Sequence, residues 1–227
     1  MEKLESRISY HFRNPELLKQ ALTHSSYLNE HALPKEACNE RLEFLGDAVL
    51  EYLTSEFLYA QYPKKMEGEL SKLRVALVCE LSLSDAARAI SLGEYLLMGR
   101  GMEKSGGRNS DAIISDAFEA LIAALYIDGG MEEAKRFVTA FLFADHEKRQ
   151  IFYDAKTILQ EMVQAEGKSV SYRDLGAEGP EHDRVYRSEV LLQDRVLGRG
   201  KGHSKKKAEQ DAAYAAITAI RNQDTCI

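Results

Sequence analysis

Hydrophobic residues recur at helical spacing along the first two thirds of the chain. One helix is predicted to begin at Asn14, an N-cap residue followed by Pro15. Further helices are predicted over 39–62, 67–78, 79–91, 110–128 and 131–146. The glycine-rich segment over 99–107 predicts a loop, and Gly129-Gly130 is typical of a helix end. This pattern predicts an all-α first domain.

The pattern changes after residue 150. A predicted helix over 154–166 precedes three short segments with strand character, and an Ala-rich helix with Ser204 as N-cap follows them. The strands are predicted over 169–175, 184–192 and 195–202, and the last helix over 204–221. This α-β-β-β-α order predicts a small α+β domain. The predicted limits are 1–148 for the helical domain, 149–153 for a linker and 154–223 for the α+β domain.

Charge is divided unevenly between the two predicted domains. The chain has a formal net charge of -6. Residues 1–150 hold 18 Lys and Arg against 24 Asp and Glu, whereas residues 154–222 hold 12 against 11. Residues 195–207 include six basic residues and no acidic one. An acidic first part and a locally basic second part indicate two different tasks on one chain.

Cysteine usage and hydropathy indicate the compartment. The three cysteines form neither a disulfide pattern nor a zinc-site pattern, which fits a reducing environment. The N-terminus lacks an apolar run of signal-peptide length, and no uncharged apolar stretch is long enough to span a bilayer. We therefore expect a cytoplasmic protein without membrane association.

Two apolar helical segments each carry only two ionisable residues, and all four are carboxylates. They are Glu43 and Asp47 within 42–50, and Asp116 and Glu119 within 113–127. Buried carboxylates are rare unless they are paired or bind a metal ion. Glu40, Glu43 and Asp47 follow i, i+3 and i+7 spacing, which keeps them within roughly 60° of one helical face. If the two helices pack together, at least four carboxylates converge.

Converging carboxylates need a compensating charge, because like charges in a poorly solvated site cannot all stay ionised. Mg²⁺ prefers oxygen ligands and retains several waters, so Mg²⁺ is the predicted cofactor, with Mn²⁺ as a substitute. Zinc is disfavoured because no His or Cys accompanies these acids at metal-ligand spacing. A di-iron carboxylate protein is rejected because that class needs Glu-x-x-His pairs.

The alternative without a metal is that these acids lie on a solvated face or pair with basic residues. The candidate partners are Arg41, Lys72, Arg74 and Arg108. This alternative is the better account of one acidic pair alone, whereas two such apolar helices favour the metal. Gly46 costs about 1 kcal/mol relative to Ala in mid-helix, and we interpret it as a site of tight helix packing.

Lysines cluster at the start of the last predicted helix. Lys205, Lys206 and Lys207 lie where the helix dipole repels positive charge. An anionic ligand, for which a helix N-terminus is suited, explains this placement. The alternative is a solvated lysine run. His182, in the turn between the first two strands, either reaches a groove of the ligand or is a surface histidine.

Several motifs together resemble the ribonuclease III family. Residues 39–47 (NERLEFLGD) resemble its signature motif, and 21–25, 104–107 and 116–121 resemble further family blocks in the expected order. Residues 154–222 resemble the double-stranded-RNA-binding domain, in the helix at 156–161, the turn at 179–182 and the helix start at 205–209. The resemblance covers essentially the whole chain.

The resemblance implies an endonuclease that cuts double-stranded RNA with Mg²⁺-activated water. It implies one or two Mg²⁺ ions, products with 5′-phosphate and 3′-hydroxyl ends and two-nucleotide 3′ overhangs, and a homodimer formed through the signature helices. It also implies processing of ribosomal, messenger and transfer RNA, without a small-molecule cofactor. By motif, Glu43, Asp47, Asp116 and Glu119 match the metal-site acids. Asp47 and Glu119 match the acids essential for activity, and Glu40 and Glu67 match accessory acids near the scissile phosphate.

The second domain is expected to recognise duplex shape rather than sequence. The predicted minor-groove contacts are Thr157, Gln160, Glu161 and His182, and the predicted phosphate contacts are Lys205, Lys206 and Lys207. One alternative function is a double-stranded-RNA-binding protein that does not cut, although such a binder has no need for four carboxylates on apolar helices. Another is a helical metal enzyme of a different kind with an appended binding domain.

Overall fold

Helices form the first part of the chain, and an antiparallel sheet with helices forms the second. The computed structural model describes residues 1–144, 152, 155–179 and 184–221. The chain divides into two units, Met1–His146 and Glu147–Ile227. The predicted fold class, an all-α domain followed by a small α+β domain, is confirmed. Of the predicted linker, the described residues include only Phe152.

The first unit contains nine α-helices within the described residues. They are α1 (Glu2–Ile8), α2 (Pro15–Ala21), α3 (Ser25–His31), α4 (Glu40–Gln61), α5 (Glu67–Val78), α6 (Glu80–Ala89), α7 (Arg100–Lys104), α8 (Asp111–Gly129) and α9 (Met131–Val138). Short 3₁₀ turns cover Lys35–Ala37, Leu92–Tyr95 and Gly107–Asn109. The Asn14 side chain accepts a hydrogen bond from the N–H of Glu16, so the predicted N-cap of α2 is confirmed.

Helix α8 lies at the centre of this unit. Ten of its nineteen residues, including Phe118 and Leu121, are buried against the rest of the unit. Helix α4 packs against it most extensively, through a buried face that includes Leu50 and Leu53. A Cβ atom on Gly46 of α4 would lie 1.9 Å from the backbone oxygen of Glu119, which confirms the predicted tight packing.

Two predictions for the first unit need correction. The segment over 99–107 is not all loop, because it contains α7. Two side chains of α3 bind backbone N–H groups at the start of α7. The Ser26 hydroxyl accepts a hydrogen bond from the N–H of Gly99 at 2.9 Å, and the Glu30 carboxylate accepts one from the N–H of Arg100 at 2.8 Å. These partners are distant in sequence, so local pattern cannot reveal them. The helix predicted over 131–146 is α-helical only to Val138 and continues as a π-helical turn over Thr139–Phe143.

Within the described residues, the second unit is an antiparallel sheet and two longer helices that share one buried core. It comprises α10 (Ala155–Gln164), β1 (Val170–Glu178), β2 (Val185–Leu192), β3 (Arg195–Gly202) and α11 (Lys205–Arg221), with strand order β1-β2-β3. A Cβ on Gly200 would lie 2.1 Å from the backbone nitrogen of Ala212, so this glycine lets β3 approach α11 closely. The Ser204 hydroxyl accepts from the N–H of Lys207 at 3.2 Å, which confirms the predicted N-cap.

In the part of the chain that the structure describes, no helix has both the length and the hydrophobicity that a membrane span requires.

Candidate metal centre and nucleic-acid interface

Three carboxylates from two helices meet in the first unit. Glu43 of α4 and Asp116 and Glu119 of α8 each place one oxygen within 4.8 Å of the others, and all three side chains are partly buried. The contact of Gly46 with the backbone of Glu119 sets this separation, because a larger residue would push α4 away from α8. The segment that contains Glu43 and Gly46 therefore forms both the close crossing of α4 and α8 and part of the carboxylate group.

Burial and mutual repulsion disfavour the ionised form of these acids. Burial, followed by the charges of Asp47, Asp116 and Glu43, raises the pKa of Glu119 to about 8. Burial raises the pKa of Glu43, and the charge of Asp116 raises it further. Burial also raises the pKa of Asp116, with a contribution from Glu80. A bound cation would stabilise the ionised carboxylates, because its positive charge offsets their mutual repulsion.

The basic residues considered as alternative partners do not neutralise this group. Among the described residues, no Lys, Arg or His forms an ion pair within 4.0 Å with the three acids of the cluster. Arg74 instead binds Glu51 at 2.8 Å, and Arg108 binds Glu103 at 2.7 Å. The three carboxylates could therefore hold a metal ion, and an all-oxygen ligand set suits a hard divalent cation.

The remaining predicted acids lie outside the three-carboxylate group. Asp47 is exposed, yet its charge is the first after burial to raise the pKa of Glu119. Glu40 is exposed at the first turn of α4, and its charge raises the pKa of Glu43. Glu67 is exposed at the start of α5, where it accepts a hydrogen bond from Ser71 at 2.8 Å. The structure therefore brings together three of the four predicted metal-site acids and places the accessory acids around or away from them.

Two residues near Asp116 were missed as site residues by the sequence analysis. Glu80, the first residue of α6, raises the pKa of Asp116 through its charge, whereas His24 lowers it. His24 caps α3 by accepting a hydrogen bond from the N–H of Ser26 at 3.1 Å. It lies in one of the family blocks, which is the signal that could have found it, but Glu80 lies in no quoted motif.

The predicted RNA contacts lie on two helices of the second unit. On α10, Thr157 and Glu161 are exposed and Gln160 is partly buried. Their spacing places them on neighbouring positions of one helix surface. At the start of α11, Lys205 and Lys206 are exposed and Lys207 is partly buried. His182 lies outside the described residues.

Lys205 and Lys156 each contact an acidic side chain. Lys205 Nζ lies 2.6 Å from Asp174 Oδ2, and this contact lowers the pKa of Asp174 and raises that of Lys205. Lys156 Nζ lies 2.5 Å from Glu209 Oε2 and 4.5 Å from the centre of the Tyr172 ring. The basic residues of the unit are therefore not equivalent as ligands for an anion.

Comparisons with known proteins agree with both units. A ribonuclease-III-like family model matches residues 14–146, and a double-stranded RNA binding motif matches residues 155–220. Ribonuclease 3 of Bacillus licheniformis is 48% identical over 223 residues, covering 97% of this chain and 90% of the relative. Ribonuclease 3 of Listeria monocytogenes is 43% identical, covering 96% of this chain and 97% of the relative.

A solved structure gives the same result for the first unit. The nuclease domain of ribonuclease III from Campylobacter jejuni is 43% identical, with a TM-score of 0.59, covering 63% of this chain and 96% of that one. The resemblance noted in the sequence is thereby confirmed, because the family match extends over most of the chain and the relatives match over nearly all of it. The chain belongs to the ribonuclease III family of double-stranded-RNA endoribonucleases.

Proposed function

We propose that the chain hydrolyses both strands of double-stranded RNA with Mg²⁺-activated water at the carboxylate group of α4 and α8. The products are expected to carry 5′-phosphate and 3′-hydroxyl ends with two-nucleotide 3′ overhangs. The observation that supports this proposal is the convergence of three carboxylate oxygens within 4.8 Å on the helices that match a nuclease family. Mn²⁺ is the expected substitute metal because it accepts the same oxygen ligands.

Each acid has a proposed role in this site. Glu43, Asp116 and Glu119 would hold the ion, and Asp47 would complete the set from the exposed side of α4. When bound, Mg²⁺ supplies Lewis acidity that activates water and stabilises the leaving 3′ oxygen. Glu119 must lose a proton to become a ligand, so its raised pKa couples metal binding to proton release.

The accessory acids and the RNA contacts complete the proposal. Glu40 and Glu67 are exposed, and we assign them to the surroundings of the scissile phosphate.

The second domain would recognise duplex shape across two minor grooves and the phosphates between them. The minor-groove contacts would be Thr157, Gln160, Glu161 and His182, and the phosphate contacts Lys205, Lys206 and Lys207. We propose that the domains extend over 1–148 and 154–223 and that the substrates are precursors of ribosomal, messenger and transfer RNA.

A homodimer is proposed because α4 exposes large apolar side chains. Phe44 is 82% exposed, Tyr52 56% and Tyr59 77%. Beside them, a groove of about 520 Å³ between α4 and α5 is lined by apolar residues, such as Leu58 and Leu70, and by polar ones, such as Arg74. Apolar surface of this kind marks an interaction site. The Campylobacter jejuni nuclease domain has a region involved in dimer formation, and a second copy of this chain would supply one cutting centre for each RNA strand.

A cleavage assay on a long perfect RNA duplex tests the proposal. The full chain is incubated with Mg²⁺, with Ca²⁺ or with a chelator, and compared with Glu119→Gln and with Glu132→Gln, an exposed residue of α9 that serves as the control. We expect Mg²⁺-dependent cutting, unchanged in the control and reduced about 100-fold or more by Glu119→Gln, with duplex binding retained. Ligation of the products reports their 5′-phosphates.

Different outcomes test the assignment of the acidic site and the cleavage activity. Near-normal turnover by Glu119→Gln would overturn the assignment of the acidic group. Tight duplex binding without cutting by the wild-type chain under any metal would favour the alternative function, a double-stranded-RNA-binding protein that does not cut.

A further inference from the structure

Asp174 contacts a lysine of the proposed phosphate-binding surface. Its Oδ2 lies 2.6 Å from Nζ of Lys205, the first residue of α11, although β1 and α11 are distant in the sequence. Both side chains are exposed, Lys205 to 68% and Asp174 to 45%, so the pair lies where a ligand of α11 must approach. The carboxylate therefore occupies one side of the exposed Lys205 ammonium.

The carboxylate of Asp174 is held in place by the backbone of its own strand. Its Oδ1 accepts a hydrogen bond from the N–H of Gly176 at 2.8 Å. The register of β1 against β2 shifts between Asp174 and Ala177, and Gly176 has a φ of +94°, which favours glycine. The bulge therefore orients the carboxylate, and less conformational freedom is lost when it binds the lysine than in an unconstrained surface ion pair.

The neighbouring lysine has a different environment. Lys206 is exposed and forms no ion pair within the described residues, whereas Lys205 is bound to Asp174. The Asp174 carboxylate and the Lys205 ammonium both stay charged near neutral pH, because their contact lowers the pKa of the acid and raises that of the lysine. A phosphate that binds Lys205 must displace the carboxylate or lie beside a negative charge.

We propose that Asp174 sets the affinity for double-stranded RNA by competing with an RNA phosphate for Lys205. The inference rests on the proposed function, since it takes Lys205 as a phosphate ligand. Asp174 weakens duplex binding, and Lys206 supplies a phosphate contact without this internal competition. An exposed ion pair contributes at most about 1 kcal/mol, so removing the competitor should tighten binding about two- to fivefold.

The test measures duplex affinity for Asp174→Asn in the full chain. Asn keeps an acceptor for the N–H of Gly176 while removing the charge, and Asp174→Ser is a second variant that keeps an acceptor. Asp194→Asn, in the exposed turn between β2 and β3, makes the same change in net charge and is the control. Binding to a duplex of about 20 base pairs is measured in EDTA at two salt concentrations, and a gel verifies that the duplex stays intact.

A double-mutant cycle with Lys205→Ala separates competition from simple repulsion. If Asp174 acts through Lys205, the gain of about two- to fivefold seen for Asp174→Asn should largely disappear in the Lys205→Ala background. The salt dependence should also steepen by about one counterion, because one more lysine contacts phosphate. Asp194→Asn should leave the affinity nearly unchanged.

Two results would overturn the competition. One is unchanged affinity in both Asp174 variants while Lys205→Ala weakens binding, and the other is an equal gain with and without Lys205. A different result would show that the three lysines do not contact RNA. In that case, replacing Lys205, Lys206 and Lys207 together would leave duplex affinity unchanged. That result would overturn the contact and the competition together.

Discussion

Glu119 is the residue on which the candidate site depends most strongly. It lies partly buried on the apolar helix α8, and the charges of Asp47, Asp116 and Glu43 add to the cost of ionising it. Its pKa of about 8 means that, without a metal, the carboxyl group is largely protonated at neutral pH. The folded chain therefore holds an acid whose ionised form a bound cation would stabilise.

Without metal, the stability of the chain should fall as pH rises between 4.5 and about 8. In this interval unfolded Glu119 has released its proton while folded Glu119 retains it, so raising the pH favours unfolding. We expect the melting temperature in EDTA to decrease by a few degrees, since about 1 kcal/mol corresponds to about 2–4 °C for a chain of this size. Scanning calorimetry at several pH values measures the change.

The Glu119→Gln variant is the control for this pH dependence. Gln does not titrate, so the decrease should be much smaller in this variant, and the variant should be more stable than wild type near pH 8 in EDTA. Mg²⁺ should stabilise the wild type more as the pH rises, because a deprotonated carboxylate is the ligand. A melting temperature that rises with pH across this interval in the wild type alone would contradict the raised pKa.

Gly46→Ala should destabilise the chain although helix propensity favours the change. Alanine gains up to about 1 kcal/mol over glycine inside a helix. Here, however, its Cβ would lie 1.9 Å from the backbone oxygen of Glu119, and backbone cannot move as a flexible side chain does. We expect a net loss of about 1–3 kcal/mol in the free energy of unfolding, measured by urea denaturation, and a loss of cleavage as α4 moves away from α8.

Gly68→Ala is the matched control for that substitution. Gly68 lies in α5, and a Cβ atom there meets nothing within 4 Å. This variant should be neutral or slightly more stable, as propensity alone predicts. If Gly46→Ala were equally neutral and fully active, the helix crossing would not set the separation of the carboxylates.

At the scale of elements, the apolar pattern predicted the long helices and the order of the second unit. Helices α4 and α8 have enough buried apolar residues for periodicity to identify them. Helix α7 was missed because its first N–H groups are bound by Ser26 and Glu30 of α3. A helix that depends on such distant partners is invisible to a local pattern.

The candidate site was predictable in its residue types and less so in its geometry. Spacing placed Glu43 and Asp47 on one helical face, but the crossing of α4 and α8 decides which carboxylate meets Glu119 closely. The proximity of Glu80 to Asp116 and the contact of Asp174 with Lys205 both join separate elements. Contacts of this kind follow from tertiary packing, which one sequence does not specify residue by residue.

Arg108→Ala should loosen the segments between α6 and α8. The Arg108 guanidinium donates to the carbonyl oxygens of Gly93 and Leu96 at 3.0 and 2.9 Å and binds Glu103 of α7 at 2.7 Å. Removing it leaves partly buried acceptors unsatisfied, which should cost about 1–3 kcal/mol. Urea denaturation measures the loss, and hydrogen exchange should quicken in α7.

Arg100→Ala is the control for Arg108. The side chain of Arg100 is 90% exposed, and its nearest carboxylate, of Glu30, lies at 4.0 Å. An exposed ion pair at this distance contributes little, so the variant should change stability by less than about 0.5 kcal/mol. Equal losses for both arginines would show that positive charge, and not the bridging of carbonyls, stabilises this region.

At the scale of the whole molecule, the uneven charge predicts a localised electrostatic interaction with RNA. Replacing Lys206 and Lys207 by Ala should weaken duplex binding and reduce the slope of log affinity against log salt by about one to two. Filter binding over a salt series measures the slope. Lys168→Ala is the control, because Lys168 pairs with Glu166 at 3.0 Å outside α11. An unchanged slope in the double variant would exclude these lysines as phosphate contacts.

The exposed apolar face of α4 leads to a prediction about assembly. Phe44 is 82% exposed, which is unfavourable for a large aromatic side chain on an isolated chain. Phe44→Asp should therefore shift the protein from a mass of two chains to a mass of one, measured by sedimentation equilibrium, while its helical content, measured by circular dichroism, stays close to that of the wild type. Leu175→Asp, 48% exposed on β1 of the second unit, is the control and should remain dimeric.

Cleavage by the Phe44 variant links assembly to function. If a second copy supplies the second cutting centre, a monomer loses coordinated cutting of both strands, and nicked duplexes should accumulate in place of short products. Native gels distinguish these products from one another. A variant that stays dimeric would exclude the surface around Phe44 from the interface, and a monomer that still releases short duplexes at the wild-type rate would show that one chain can cut both strands.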